Sequence, residues 1–188
     1  MKQQQNYSDA ELIQGCINCN RLYQERLYAR FSAKMFAICL RYARDYHSAE
    51  DILQEGFIKV YQNIQKFRNE GSFEGWLRRI FVNTAIEHYR RSTPMYPILE
   101  VTQAESEMVR EEVVENLAAA DMMKMIQSLS PGYRTIFNLY VIEGYSHKEI
   151  ADMLGISEGT SKSQLARARY LLQEKVKQLN QYSEQAYV

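Results

Sequence analysis

Apolar residues return at helical intervals along most of the chain. In AEDILQEGFIKVYQNIQKF, residues 49–67, Leu53, Phe57, Val60 or Tyr61, Ile64 and Phe67 fall on one side, which predicts a helix with a buried stripe. In RNEGSFEGWLRRIFVNTAIEHYRR, residues 68–91, Gly71 and Ser72 mark a turn. Ser72 is placed to cap a helix starting near Phe73, with Phe73, Trp76, Leu77, Ile80 and Ile86 on its buried side. YSHKEIADMLGISEGTSKSQLARAR, residues 145–169, reads as two short helices bent about Gly155. Alternating β-branched runs are scarce. The pattern predicts an all-α chain.

That last stretch carries the features of a helix-turn-helix in the right order. Ser146 and Glu149 form an S-x-x-E capping box, and Ile150, Met153 and Leu154 face one side. Ala151 is small where the helices cross, Ile156 plugs the gap, and Ser157 caps the second helix, which runs towards Leu172. In such a motif the start of the second helix reaches base edges in the major groove. Those positions hold Glu158, Thr160, Ser161, Lys162, Ser163 and Gln164, with Arg167 and Arg169 beyond. The hydroxyls and amide suit base edges, and the cations suit phosphates. The plainer alternative is a capped helical hairpin with a solvated face.

The polar faces of the two upstream segments add to this. Asp51, Gln54, Glu55 and Ile58 are three, four and seven residues apart and share a side. A row of acid, amide and acid ending in isoleucine has the composition of a partner-docking face; a merely solvated face is the other reading. Over residues 73–91 aromatic and basic side chains interleave: Phe73, Trp76, Arg78, Arg79, Phe81, Tyr89, Arg90 and Arg91, with Asn83 among them. Aromatics stack on unpaired bases and a basic groove holds the strand, so this mixture suits single-stranded DNA. Trp76 and Phe81 also read as ordinary core.

Charge at first argues against DNA, since the 188 residues carry a formal net charge of +0. The zero hides a division. Residues 66–91 hold six bases against three acids, and residues 122–188 hold eight against six. Between them, Glu100, Glu105, Glu107, Glu111, Glu112 and Glu115 face one base, Arg110, and Pro94 and Pro97 bar helix at the start of the stretch. These features divide the chain into a bundle at residues 8–91, an acidic linker at 92–115 that turns helical from about Ser106, a second bundle at 116–180, and a tail at 181–188.

The cysteines are Cys16, Cys19 and Cys39. An odd number points to reduced thiols, and Cys16-Ile-Asn-Cys19 lacks the second pair that a structural zinc site needs. Structural thiols and a redox or zinc switch both remain open. No stretch has the roughly 20 apolar residues that span a membrane. The first residues, MKQQQNYSDAEL, lack the apolar core of a signal peptide, so a cytoplasmic protein is expected.

Taken in order, these segments resemble the extracytoplasmic-function sigma factors, small two-domain members of the sigma-70 family. AEDILQEGFIKVYQNIQKF resembles the family's polymerase-binding helix, and FEGWLRRIFVNTAIEHYRR its promoter-melting helix. LSPGYRTIFNLYVIEGYSHKEIADMLGISEGTSKSQLARAR resembles its domain four. The resemblance spans about residues 10–178. It implies a dissociable specificity subunit without catalytic activity of its own, needing no cofactor, metal or small-molecule substrate. Its partners would be core RNA polymerase, promoter DNA, and an anti-sigma factor, in this family often membrane-bound. Asp51, Gln54, Glu55 and Ile58 would dock on core polymerase. The minus-ten element would meet Arg68, Ser72, Phe73, Arg78, Arg79, Asn83, Tyr89, Arg90 and Arg91, the loop from Arg68 to Ser72 taking a flipped base. The minus-thirty-five duplex would meet Ser157, Glu158, Thr160, Ser161, Lys162, Ser163, Gln164 and Arg167. Ser161 and Gln164 depart from the apolar residue and arginine common there. A polymerase that supplies most of the grip on DNA accounts for the neutral total, and the glutamates of residues 100–115 suit polymerase's positively charged RNA-exit path.

Three other readings compete. A dimeric helix-turn-helix regulator leaves Asp51, Gln54, Glu55 and Ile58 unexplained. A thiol redox enzyme using Cys16 and Cys19 lacks a supporting base or βαβ context. An interaction protein that occupies polymerase without initiating would have no need of Asn83.

Overall fold

The computed structural model describes residues 7–92 and 119–185. Among these residues the regular structure is entirely helical. The helices are α1 (Asp9–Ile17), α2 (Arg21–Tyr42), α3 (Tyr46–Asn63), α4 (Phe73–Ser92), α5 (Ala119–Gln127), α6 (Pro131–Phe137), α7 (His147–Leu154) and α8 (Glu158–Gln185). A 3₁₀ turn, Ile64–Lys66, extends α3, and a π turn, Asn138–Ile142, extends α6. The chain divides into two compact units, Met1–Glu87 and His88–Val188. No helix among the described residues is long and apolar enough to cross a membrane.

Short polar side chains start most of these helices, each accepting from a backbone N–H that the helix leaves unpaired. Ser8 and Glu11 form a reciprocal capping box on α1. Asn20 caps α2, Asp45 caps α3 through the Ser48 N–H at 2.8 Å, and Ser72 accepts from the Gly75 N–H at 3.1 Å. Those bonds hold the carboxyls of Glu11 and Asp45 below their ordinary values.

In the first unit the predicted stripe of α3 is core: Leu53, Phe57, Val60 and Ile64 are buried, and Phe67 is half-buried. Val60 takes the buried place, while Tyr61 lies beside it and donates its hydroxyl to the Gln24 carbonyl at 3.0 Å. Leu27, Phe31, Met35 and Ile38 line α2 at intervals of four, four and three, and α4 contributes Phe73, Leu77, Phe81 and Val82. The α3–α4 contact is close because Gly56 has no side chain. A Cβ there would lie 2.3 Å from Phe81 Cε1. The fully buried Phe81 ring stands edge-on to Phe57, with centroids 5.2 Å apart at 71°.

The second unit is built on α8, which packs against α5, α6 and α7. Met125, Ile126, Leu129, Ile136, Leu139, Ile150, Leu165 and Ala168 form its core. Arg134, also buried, donates to the Gln127 carbonyl at 2.8 Å, so its charge meets the carbonyl end of α5. The helix that runs towards Leu172 continues to Gln185, into the stretch 181–188 read as a tail.

Candidate nucleic-acid and polymerase interface

The outer face of α3 presents Asp51, Gln54 and Ile58 to solvent, and Ile58 is 55% exposed. An isoleucine that open on a capped, well-packed helix is an apolar group without a burial site in the free chain. Glu55, between them, is half-buried and bonded at 3.1 Å by Lys59 one turn on. The row is therefore two exposed polar groups, an exposed aliphatic group and a tethered acid.

The turn into α4 is shaped by backbone in the left-handed region, with φ of 61° at Asn69 and 101° at Gly71. Arg68 and Ser72 are exposed on it. Beneath lies an aromatic cluster. Phe73 and Trp76 stack at 5.6 Å and 20°, and Phe67 leans on both at 5.2 and 5.7 Å. Phe73 is buried, so the expectation that it meets DNA is corrected: it is the floor of the loop. Its position at the first turn, below Phe31 at 5.6 Å, leaves no open ring face for a base. Trp76 is half-buried. Further along α4, Arg79, Asn83, Arg90 and Arg91 are exposed, while Arg78 and Tyr89 are half-buried.

The helix-turn-helix forms as its residues predict. Ser146 and Glu149 make a full capping box on α7, which draws the Glu149 carboxyl below its usual value. Gly155 closes α7 at φ 69°, ψ 37°, and Ser157 accepts from the Thr160 N–H at 3.0 Å to start α8. On α8, Ser157, Glu158, Lys162, Ser163 and Arg167 are exposed and Thr160 is half-buried. Glu158 and Lys162 pair at 3.7 Å.

Two expected base readers are corrected. Ser161 is fully buried and Gln164 is 6% exposed. With Leu165 and Ala168 they continue the inner stripe of α8 towards its start, so neither faces a groove. The Ser161 hydroxyl instead meets His147 Nδ1 at 2.9 Å, across the turn. His147 stacks on Tyr140 at 4.4 Å, and Arg169 lies 5.7 Å from the same Tyr140 ring. Burial, then Lys162, with Arg169 adding, hold the His147 pKa below the ordinary value against the opposing pull of Glu158. Sequence reasoning missed this column. Its signal was the helical spacing of Ser161 from Leu165 and Ala168. It also missed Lys59 and Glu87, which lie 2.7 Å apart between α3 and α4.

The three cysteines are free thiols. Cys16 and Cys39 are buried, which pushes them up to about 11 and about 12, and Cys19 is exposed at φ 55°. No group of three or more His, Cys, Asp or Glu side chains among the described residues has the arrangement to hold a metal ion. The acidic linker of residues 92–115, with Glu100 to Glu115 and the expected helix from Ser106, lies outside the described residues, apart from Ser92 at its start.

Comparison with known proteins matches two stretches of the chain to one family. Residues 27–94 match the family model for sigma-70 region 2, and residues 119–172 that for sigma-70 region 4. The ECF RNA polymerase sigma factor SigW of Bacillus subtilis is 32% identical over 161 residues, covering 79% of this chain and 86% of that one. The ECF RNA polymerase sigma factor SigE of Mycolicibacterium smegmatis is 30% identical over 155 residues, 80% of this chain, which spans 60% of that relative's length. Among solved structures, the sigma factor RpoE in complex with the anti-sigma factor NepR, from Bartonella quintana, aligns at 22% identity with a TM-score of 0.47. That alignment covers 81% of this chain and 96% of that one.

Proposed function

The chain belongs to the sigma-70 family as an ECF RNA polymerase sigma factor that directs transcription initiation, and from that premise we propose how its surfaces divide the work. The α3 row of Asp51, Gln54, Glu55 and Ile58 docks on core polymerase. Ile58 supplies the apolar centre of that contact, and the polar residues set its register. The turn from Arg68 to Ser72 and the outer face of α4, with Arg78, Arg79, Asn83, Tyr89, Arg90 and Arg91, take up the minus-ten strand as it opens. Flipping a base out of the stack costs a few kcal/mol, least where pairing is weak. Contacts to an extruded base and to the strand's phosphates offset that cost, so opening draws on binding energy alone. The chain makes and breaks no covalent bond in this scheme; the chemistry is polymerase's.

The second unit reads the minus-thirty-five element as duplex through the open side of α8: Ser157, Glu158, Thr160, Lys162, Ser163 and Arg167. Ser161 and Gln164 act from behind, by fixing how α8 seats on its unit. Each of these contacts is modest, and joining two weak contacts on one chain raises the effective concentration of the second. A neutral chain that grips DNA firmly only with polymerase follows from that division. An anti-sigma factor that covers the α3 row or the open side of α8 would hold the chain inactive. The chain works wherever polymerase is, in the cytoplasm.

One observation carries this reading. The open row of α3 and the open Arg79–Asn83 side of α4 are parts of a single unit, pinned by the Gly56–Phe81 contact. A dimeric DNA-binding regulator has no use for such an arrangement. The test separates the two surfaces. Asp51→Ala/Gln54→Ala should weaken core binding about tenfold or more, the loss of two register-setting contacts of about 1 kcal/mol each. Asn83→Ala should leave core binding intact and lower initiation from closed duplex more than from a pre-opened template. Equal loss on both templates with Asn83→Ala would remove the melting role from α4.

A further inference from the structure

Lys59 stands one turn after Glu55 on α3 and reaches across to α4. Its ammonium lies 3.1 Å from Glu55 Oε1 and 2.7 Å from Glu87 Oε2. Burial works to lower its pKa, but the bonds to Glu87 and Glu55 outweigh that and raise it. Lys59 therefore stays charged and shared between two carboxylates.

The position of Glu87 gives this clasp a consequence. Arg79, Asn83 and Glu87 follow one another at intervals of four on α4, and all three are exposed. Glu87 thus stands on the side of α4 assigned above to the opened strand, where a bare carboxylate repels phosphates. The other acid of α4 is Glu74, and it too is held by a lysine from a neighbouring helix, Lys34 of α2, at 2.6 Å. Both acids of this helix are screened by lysines. Glu55, the other partner of Lys59, belongs to the row assigned to polymerase.

We propose that Lys59 is a positioning residue that couples polymerase docking to strand capture, by screening Glu87 on the strand side and tethering Glu55 on the docking side. A basic group of polymerase that pairs with Glu55 leaves Lys59 to Glu87 and makes the strand side less negative. By linkage, a bound strand that favours the Lys59–Glu87 pair strengthens docking in return. The inference rests on the docking and strand roles given to α3 and α4 above.

The test uses the full chain assembled with core polymerase. The probe is a fluorescently labelled single-stranded DNA, the nontemplate strand of a fragment from which wild-type holoenzyme initiates. Lys59→Met should weaken strand binding about two- to fivefold, the range of a partly exposed ion pair, and the loss should shrink as salt rises. Glu87→Gln removes the charge that needs screening. Lys59→Met/Glu87→Gln should therefore bind the strand within about twofold of wild type, although the clasp is still broken. A lysine that merely staples α3 to α4 would show no such rescue, and thermal melting of the free variants reports that stapling separately. Undiminished strand binding by Lys59→Met, or loss unrelieved by Glu87→Gln, overturns the Lys59 role alone. A wild-type holoenzyme that fails to hold the strand overturns the proposed function and the Lys59 role together.

Discussion

Gly56→Ala sets two effects of opposite sign against each other. In a helix interior alanine is favoured over glycine by about 1 kcal/mol, so propensity alone predicts a more stable protein. The packing predicts the reverse. The new Cβ would lie 2.3, 2.6 and 2.9 Å from Phe81 Cε1, Cδ1 and Cζ. Carbon atoms rest at about 3.5–4.0 Å, so α3 and α4 must part by roughly 1 Å or the ring must turn. The ring has little room, being fully buried and set edge-on to Phe57. Overpacking of this kind costs about 1–3 kcal/mol, and the rigid neighbour places the cost at the upper end. The net expectation is a loss of about 1–2 kcal/mol. It is measured by urea denaturation of the full chain followed by far-UV circular dichroism. Trimming the partner in Gly56→Ala/Phe81→Leu should recover part of the loss, so the two changes should not add. A Gly56→Ala chain as stable as wild type, or more so, would refute the claim that this glycine sets the α3–α4 distance.

Other outcomes follow from the same geometry. Ser161→Ala should lower the stability of the helix-turn-helix by about 0.5–1.5 kcal/mol through loss of the bond to His147, with promoter preference retained. Lys162→Ala and Arg167→Ala should do the opposite, weakening minus-thirty-five duplex binding while stability stays within about 0.5 kcal/mol of wild type; gel-shift and melting measurements on the three variants compare them directly. A thiol-reactive dye at pH 8 should label Cys19 rapidly in the native chain. Cys16 and Cys39, raised to about 11 and about 12 by burial, should react only after denaturation. Glu11, Asp45 and Glu149 have carboxyls lowered by their capping bonds. Their contribution is therefore complete above the unfolded-state carboxyl pKa and is lost as pH falls through the depressed folded-state values. Ser8→Ala/Ser146→Ala should begin acid unfolding at a higher pH than wild type in a circular-dichroism titration.

Much of this was legible because local signals agreed with one another. Ser146, Glu149, Gly155 and Ser157 each demand a particular backbone, and together they specify the turn before any tertiary contact is known. The stripe from Leu53 to Ile64 was equally plain, since a period of 3.6 in large apolar residues has few other uses. The misplacements on α8 share a cause. Ser161 and Gln164 are assigned by residue type, as hydrogen-bonding groups, whereas their helix face turns them inward; Phe73 carries both a buried-stripe and a DNA assignment from the sequence, and its burial leaves only the first. For Ser161 and Gln164 the inner stripe begins with polar residues, because a helix start that packs against another helix can satisfy a hydroxyl there. The partner was His147, fourteen residues earlier, and only the packing of α7 on α8 brings the two together. Lys59 and Glu87 were invisible for the same reason. A lysine and a glutamate 28 residues apart look like ordinary surface until α3 and α4 are laid side by side.

The most direct test of the central claim is run-off transcription. Purified chain is added to bacterial core polymerase on genomic promoter fragments, with Asn83→Ala and Asp51→Ala/Gln54→Ala chains alongside. The account predicts discrete start sites only with the intact chain. Asp51→Ala/Gln54→Ala should be recovered at higher polymerase concentration, and Asn83→Ala by a pre-opened template. Tight duplex binding by the chain alone, with no start sites when polymerase is added, would contradict it and leave a DNA-binding regulator in its place.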